Sequence, residues 1–407
     1  MLETGPIFRA MLRRPAGPLL IILQLAITIA IVSNSLSFIQ KRSEFINREP
    51  GLEVEGLLKI WAKPDESRGN LDDMIEEDLR FLNDQSTVES VIAINGLPMG
   101  GMGGTSGFAT APTMDVEGQQ VLSAAASMLS VTEGWLETLG ATLIRGENFA
   151  FDDYQRFRPE NNPTSSPIIV TEVIAEQLFP DQNPIGQSIY IGELVSFTVV
   201  GVIENMFGHQ LYWEWPYHTV VIPKMQLSES SNYLIRTNEK SEELVLDDLV
   251  AGLRDLSDNR IVGDEKTMTT IARDTYSGEY AMITLLSIVV FLLIGVNALG
   301  VVGLTSFWIS QRRKQIGIRR ALGASRTAIV RYFLLENIML VAGAVAIGGI
   351  AAISASIYMV KAYGFEPLAW FYIPASALVV LLITLGAAIF PVNKASRISP
   401  VEAVAGR

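Results

Sequence analysis

Four stretches of the chain, residues 18–39, 281–309, 337–360 and 373–392, are long, apolar and free of charged side chains. A bilayer hydrocarbon core of about 30 Å is crossed by about 20 apolar residues in a helix. These stretches therefore predict four transmembrane helices, and everything else must be arranged around them. The predicted fold class is an α-helical membrane protein with a large α+β extracytoplasmic domain between the first two helices.

Charge is divided along the same lines. Residues 40–279 hold 39 acids against 17 bases, whereas the rest of the chain holds 4 acids against 14 bases. Bases beside a span mark its cytoplasmic side. Arg9, Arg13 and Arg14 precede the first span, seven Lys/Arg and no acid lie between Ser310 and Arg331, and Lys394 and Arg397 follow the last span. The layout expected is a cytoplasmic N-terminus (1–17), span 1 (18–39), an extracytoplasmic domain (40–279) and span 2 (280–309). A cytoplasmic loop (310–331), span 3 (332–360), a short outer loop (361–372), span 4 (373–392) and a cytoplasmic tail (393–407) complete it. The first run could alternatively serve as a signal-peptide core, with Ser33, Asn34 and Ser35 as the cleavage site. Its length, continuing apolar through Leu36 and Phe38, favours a span. An acidic soluble region argues against nucleic-acid binding. With no cysteine, disulfides and thiolate chemistry are excluded.

The soluble region reads as two βαβ-like units flanking a mostly-β insertion. Strand 57–63, helix 71–82 and strand 88–95 form the first, by alternation and by an apolar stripe at 71, 74, 75, 79 and 82. Strand 233–237, helix 241–256 and strand 260–262 form the second. The insertion, roughly 96–217, predicts a helix at 172–178 and strands at 135–140, 143–149, 168–170, 189–191 and 197–203, punctuated by Gly140, Gly146, Gly186 and Gly201. Its opening run, GLPMGGMGGTSG (96–107), lacks the Gly-x-Gly-x-x-Gly frame and any following Gly-Lys-Ser/Thr, so it reads as a solvent-facing loop rather than a phosphate cradle. His209, Trp213, Trp215 and His218 have poor metal-ligand spacing and read as packed aromatics.

The long second run would measure about 43 Å as one helix, more than the hydrocarbon core, so it should tilt or project. Gly295, Gly300 and Gly303, with Asn297, suit close packing within the bundle or across a dimer. Between spans 2 and 3 the pattern is more specific than its charge. Ile318, Leu322 and Ile329 fall at helical spacing, Gly323 suits a left-handed helix C′ position, and Ser325 suits the N-cap of the next helix.

That segment, RRKQIGIRRALGAS, closely resembles the coupling-loop signature of FtsX/MacB-type ABC transporter permeases. LETLGATLIRGENFAFDD, VIAEQLFPDQNPIGQSIYIG and FTVVGVIENMF resemble the MacB-like periplasmic core domain, and the tail ASRISPVEAVAGR resembles the family's C-terminal motif, apart from Val404-Ala405. The resemblance implies a non-catalytic permease subunit in a bacterial inner membrane, without cofactor of its own. It also implies a separate ABC ATPase subunit, which binds ATP and Mg, since these residues contain no Walker A pattern. Family members pair as homodimers or heterodimers, and a periplasmic membrane-fusion adaptor is compatible with the architecture. Ile316, Gly317, Ile318, Arg319, Arg320, Leu322, Gly323 and Ala324 then become the ATPase-coupling residues. Export of an antibiotic, peptide or lipid-linked substrate is the function implied. The alternative is an FtsX-like signalling subunit that regulates cell-wall hydrolases.

Overall fold

The computed structural model describes residues 16–65, 71–112, 121–154, 166–193, 195–223, 230–238, 241–256 and 260–396. Arg9, Arg13, Arg14 and the tail from Arg397 lie outside the described residues. The chain divides into two compact units, Arg48–Ser277 and the pair of segments Met1–Asn47 and Gly278–Arg407.

The first helix, α1, runs Ala16–Ile46, seven residues past the apolar run. The soluble unit then opens with β1 (Leu57–Pro64), α2 (Leu71–Asn83) and β2 (Ser90–Asn95). It ends with β10 (Ser231–Arg236), α5 (Glu242–Leu256), β11 (Arg260–Thr267) and α6 (Met268–Thr275). The order β11-β1-β10-β2, with each neighbouring pair antiparallel, shows how the two units combine. Each contributes two parallel strands, and each accepts one strand of the other between them, giving interlocked split βαβ units. Alternation sorts the side chains: Leu58, Ile60, Ala93, Tyr233 and Ile235 face α2 and α5, whose stripes supply Ile75, Leu82, Leu246 and Leu249. A buried charge cluster ties the two units together. Asp78 on α2 accepts from the Tyr233 hydroxyl at 2.7 Å and pairs with Arg260 at the start of β11.

Between β2 and β10 come β3 (Gly104–Ala109), β4 (Ser123–Val131), α3 (Trp135–Leu139), β5 (Leu143–Gly146), β6 (Ser166–Thr171), α4 (Glu172–Leu178), β7 (Ser188–Ile191), β8 (Val195–Ile203) and β9 (Thr219–Ile222). The strands follow β4-β3-β7-β8-β6-β9, and β9 pairs back onto β4, so this part closes into a ring of six. One face of the ring strands packs Phe108, Ala126, Ile168, Val170, Phe197 and Val199 with Ile174 and Leu178 of α4. The other face, through Leu129, Val131, Ile169 and Val221, joins Leu57, Ile92 and Leu234 from the four-stranded part and Trp135 of α3. Residues 135–139, expected as a strand, form this short helix instead, bounded by Gly134 and Gly140 in left-handed conformations. Arg236, at the end of β10, clamps the junction: its guanidinium donates to the backbone oxygens of Thr138 at 2.6 Å, Glu55 at 2.6 Å and Glu53 at 2.9 Å.

The glycine-rich run is only in part the solvent-facing loop expected: residues 101–105 and 107 are exposed, but the run is anchored at both ends. Residues from Gly104 onward pair along β4, Leu97 and Met99 are buried, and Met99 and Gly101 donate from their amides to Gly208 and His209. Glycines form this strand because its bonds are made by the backbone, which needs no side-chain signal.

The second unit adds α7 (Ser277–Gln311), α8 (Arg313–Ala321), α9 (Arg326–Tyr363) and α10 (Tyr372–Ser396) to α1. Among the described residues, α1, α7, α9 and α10 are the four helices long and apolar enough to cross a membrane. At 35 residues α7 spans about 53 Å. Helix α10 was expected to stop near Pro391, but it continues through it to Ser396, with the carbonyl of residue 387 left without the amide that proline lacks.

Helices α1, α9 and α10 form the packed centre, with Leu25, Ala26 and Ile29 against Leu340, Ala344 and Val380. The approach of α1 to α9 depends on Gly348, where a Cβ would lie 2.6 Å from the Ala26 carbonyl oxygen. Ser33 and Ser376 share a hydrogen bond of 2.6 Å, and Asn34 donates to the Ala352 carbonyl at 3.2 Å. Helix α7 is attached differently. Its large apolar residues Leu285, Phe291, Leu292 and Leu299 are exposed, and polar contacts hold it at three levels. Glu279 pairs with Arg42, Asn297 donates to Thr28, and Arg312, just past the end of α7, pairs with Glu336.

Candidate coupling site

The segment joining α7 to α9 is built from punctuation that the sequence makes explicit. Helix α8 ends because Gly323 takes φ +96°, a left-handed conformation that costs glycine little. The amides of Leu322 and Ala324 close this end onto the Ile318 and Arg319 carbonyls, each at 3.0 Å. Ser325 then caps α9, its hydroxyl accepting from the Ala328 amide at 3.2 Å.

The two faces of α8 differ in what they meet. Ile316 is buried, together with Gly317, and Ile316 packs against Ile309, Ile329, Phe333 and Val392. Ile329, expected on the face of Ile318 and Leu322, is turned inward instead, because the left-handed residue at 323 breaks the helical period between α8 and α9. Ile318 is 45% exposed and Leu322 is 83% exposed. Arg319 lies with its guanidinium 4.9 Å from the centre of the Tyr332 ring, a cation–π contact that holds the helix from its side. Helix α8 includes Arg320, whose side chain lies outside the described residues. The result is a short helix fixed to its own unit by one apolar residue and one ring, presenting two aliphatic side chains amid bases.

The helix-packing candidates separate in the same way. Asn297 is buried and also donates to the Leu293 carbonyl at 2.9 Å, and Gly300 lies under the Gln24 side chain, which a Cβ at 300 would meet at 2.7 Å. Gly295 and Gly303 face open space. Packing against α1 thus uses two of the four, and the other two line the exposed side of α7.

The aromatic cluster of the soluble unit is packed as expected. Trp213 and Trp215 lie 4.4 Å apart in an edge arrangement, and Trp215 stacks on His218 at 5.8 Å. His209 shares a 3.1 Å hydrogen bond with Thr105 through Nε2, and its burial lowers its pKa. Among the described residues, no three His, Asp or Glu side chains gather as a metal site would require. One contact of this segment has no local sequence pattern: Arg312 Nη1 donates to the buried Glu336, 24 positions away.

Comparison with known proteins divides the chain between two family models, the first beginning within α1. Residues 19–251 match the MacB-like periplasmic core domain, and residues 281–400 match the FtsX-like permease C-terminal region. The chain is 25% identical over 353 residues to the macrolide export ATP-binding/permease protein MacB of Neisseria meningitidis serogroup B, covering 84% of this chain and 50% of that protein. It is 28% identical over 296 residues to the protein of the same name from Agrobacterium fabrum, covering 69% and 43%. The chain spans about half the length of the curated relatives it matches. The periplasmic region of MacB from Actinobacillus actinomycetemcomitans aligns with a TM-score of 0.36 at 14% identity, covering 57% of this chain and 97% of that one.

Proposed function

Since the chain belongs to the MacB/FtsX-type permeases, its MacB-like core match alone covering more than half its length, we propose that it is the membrane subunit through which a cytoplasmic ABC ATPase drives an extracytoplasmic domain. The ATPase binds ATP and Mg. Two permease chains, alike or different, pair through the exposed side of α7, where Gly295 and Gly303 allow close approach. The assembly sits in a bacterial inner membrane with Arg48–Ser277 outside. A periplasmic membrane-fusion adaptor fits the same plan. The relatives named for macrolide export suggest outward movement of an antibiotic, peptide or lipid-linked molecule. The FtsX-like signalling reading is not favoured, because the soluble unit matches the MacB-like core along most of its length.

The observation that carries this reading is the exposed pair Ile318 and Leu322 on a helix otherwise pinned down. Exposed aliphatics ringed by arginines suit a groove that is apolar at its floor and acidic at its rim. Full burial of each such side chain is worth about 1.5–3 kcal/mol. Leu322→Asp is expected to release the ATPase from purified complexes while membrane insertion is unchanged. A mutant complex that stays together, with normally stimulated ATP hydrolysis, would overturn the reading.

A further inference from the structure

From Ser310 to Glu336 the chain carries seven bases and one acid. That acid is turned inward: the Glu336 side chain is 3% exposed, and Arg312 Nη1 lies 3.2 Å from both of its carboxylate oxygens. A carboxylate in an apolar helix bundle is expensive unless a cation meets it, so its position needs a reason. Its location supplies one. Glu336 lies on the buried face of α9, one turn beyond Phe333 and one before Leu340. Arg312 is the single residue between α7 and α8, and its amide is shared between the Trp308 and Ile309 carbonyls at 3.0 and 3.1 Å. The one acid of this segment therefore grips the joint at which the chain changes from one helix to the next.

We propose that Glu336 is the positioning residue of the coupling helix. By holding Arg312 against α9 it fixes the angle at which α8 leaves α7. Ile316 secures the underside of α8 and Arg319 its flank, but neither acts at the joint. With the pair intact, a push on α8 moves α7, α8 and the inner end of α9 as one body. With the pair broken, α8 turns about residue 312 and the push is absorbed locally. The inference rests on α8 being the coupling helix, yet its structural content can be measured without the ATPase.

The chain has no cysteine, so two introduced ones report alone. Leu322→Cys and Ile347→Cys, both at exposed positions on α8–α9, are to be spin-labelled in the full chain in lipid nanodiscs, and their separation measured by pulsed electron paramagnetic resonance. A narrow distance distribution is expected. Glu336→Gln should at least double its width, Arg312→Gln should do the same, and the reversed pair Arg312→Glu with Glu336→Arg should narrow it again. Arg312 is partly exposed, so its variant carries the test should Glu336→Gln not fold. An unchanged width in the folded single variants, or a reversed pair as broad as either, would overturn the proposal. A broadened distribution combined with an ATPase that ignores Leu322→Asp would leave the positioning role standing and remove the coupling reading.

Discussion

Gly348→Val tests whether the packed centre of the bundle is set by backbone contact. A Cβ at 348 would lie 2.6 Å from the Ala26 carbonyl oxygen, 3.0 Å from Ala26 Cα and 3.1 Å from Ile29 Cβ, where ordinary contact begins near 3.4 Å. The nearest atom belongs to a backbone, so no side-chain rotation relieves the clash, and α1 must move away from α9 by the missing 0.8 Å. Overpacking of this kind costs about 1–3 kcal/mol, and a branched residue belongs at the upper end. Valine in place of glycine returns about 0.3–0.5 kcal/mol of helix propensity. The net expectation is a loss of about 2 kcal/mol. Gly303→Val is the control, because a Cβ there meets nothing within 4 Å. Titration of the detergent-solubilised protein with a denaturing detergent, followed by tryptophan fluorescence, should place Gly348→Val well below wild type and Gly303→Val at or above it. A Gly348→Val protein that unfolds with wild type, or a control that loses as much, would refute the reasoning. If Gly303 faces a second permease, its valine variant should instead weaken dimerisation in cross-linking at unchanged monomer stability.

Topology is tested by Ser241→Cys and Lys394→Cys: an impermeant maleimide should label the first in intact spheroplasts and spare the second until they are lysed. Polar cargo is not expected to pass through the helices, since the apolar runs carry no Asp, Glu, Lys, Arg or His and the amide nitrogen of the buried Asn297 is occupied with Thr28 and the Leu293 carbonyl. A photo-crosslinker at Asn297 should capture little substrate during turnover, whereas one at Trp213 should capture more; strong ATP-dependent capture at Asn297 would reverse this view. His209 gives a pH signature. Its folded pKa lies below the ordinary value because burial disfavours the charged ring. The unfolded chain therefore binds the proton first, and stability is complete above about pH 6.5 and drains as the pH falls through the window between that value and the lower folded one. Urea midpoints at about pH 7.5 and about pH 5.5 should differ, and His209→Gln should reduce the difference.

Much of this was readable because several constraints act locally. Uncharged runs of this length have few fates, and Gly323 and Ser325 announce a helix end and a helix start by conformational need. The helical stripes of α2 and α5 and the alternation of β1 and β2 likewise follow from single-element geometry. Strands β3 and β4 were missed because GTSGFA and SAAASMLSV are built of small residues. Their pairing is a matter of backbone, and the bulk that fills the space beside them comes from Phe197, Ile168 and α4, remote in sequence. β9 is only four residues long, too short for a period to show. In the segment joining α7 to α9 the helix and its caps were visible, but which side of α8 faced inward was not. That is decided by Phe333 and Val392, which belong to other helices. The pairing of Glu336 was not visible either, since it depends on Arg312, 24 positions away and outside α9.

The Arg236 clamp has a consequence for how such a domain can diverge. Its guanidinium is spent on the carbonyl oxygens of residues 53, 55 and 138, groups that every amino acid carries. These three bonds make no demand on the side chains at those positions, although Glu53 also pairs with Arg236 through its carboxylate at 3.9 Å, and the buried Thr138 hydroxyl donates to Ser90 and to the Gly134 carbonyl. The exposed Glu55 is the one of the three that can change without further cost while the chain keeps its path. The same arrangement is intolerant of insertions or deletions in those segments, which would slide a carbonyl out of reach. The clamp thus tolerates a change of side chain at residue 55 far better than a change of chain length, which keeps the two halves of the soluble unit in their mutual setting.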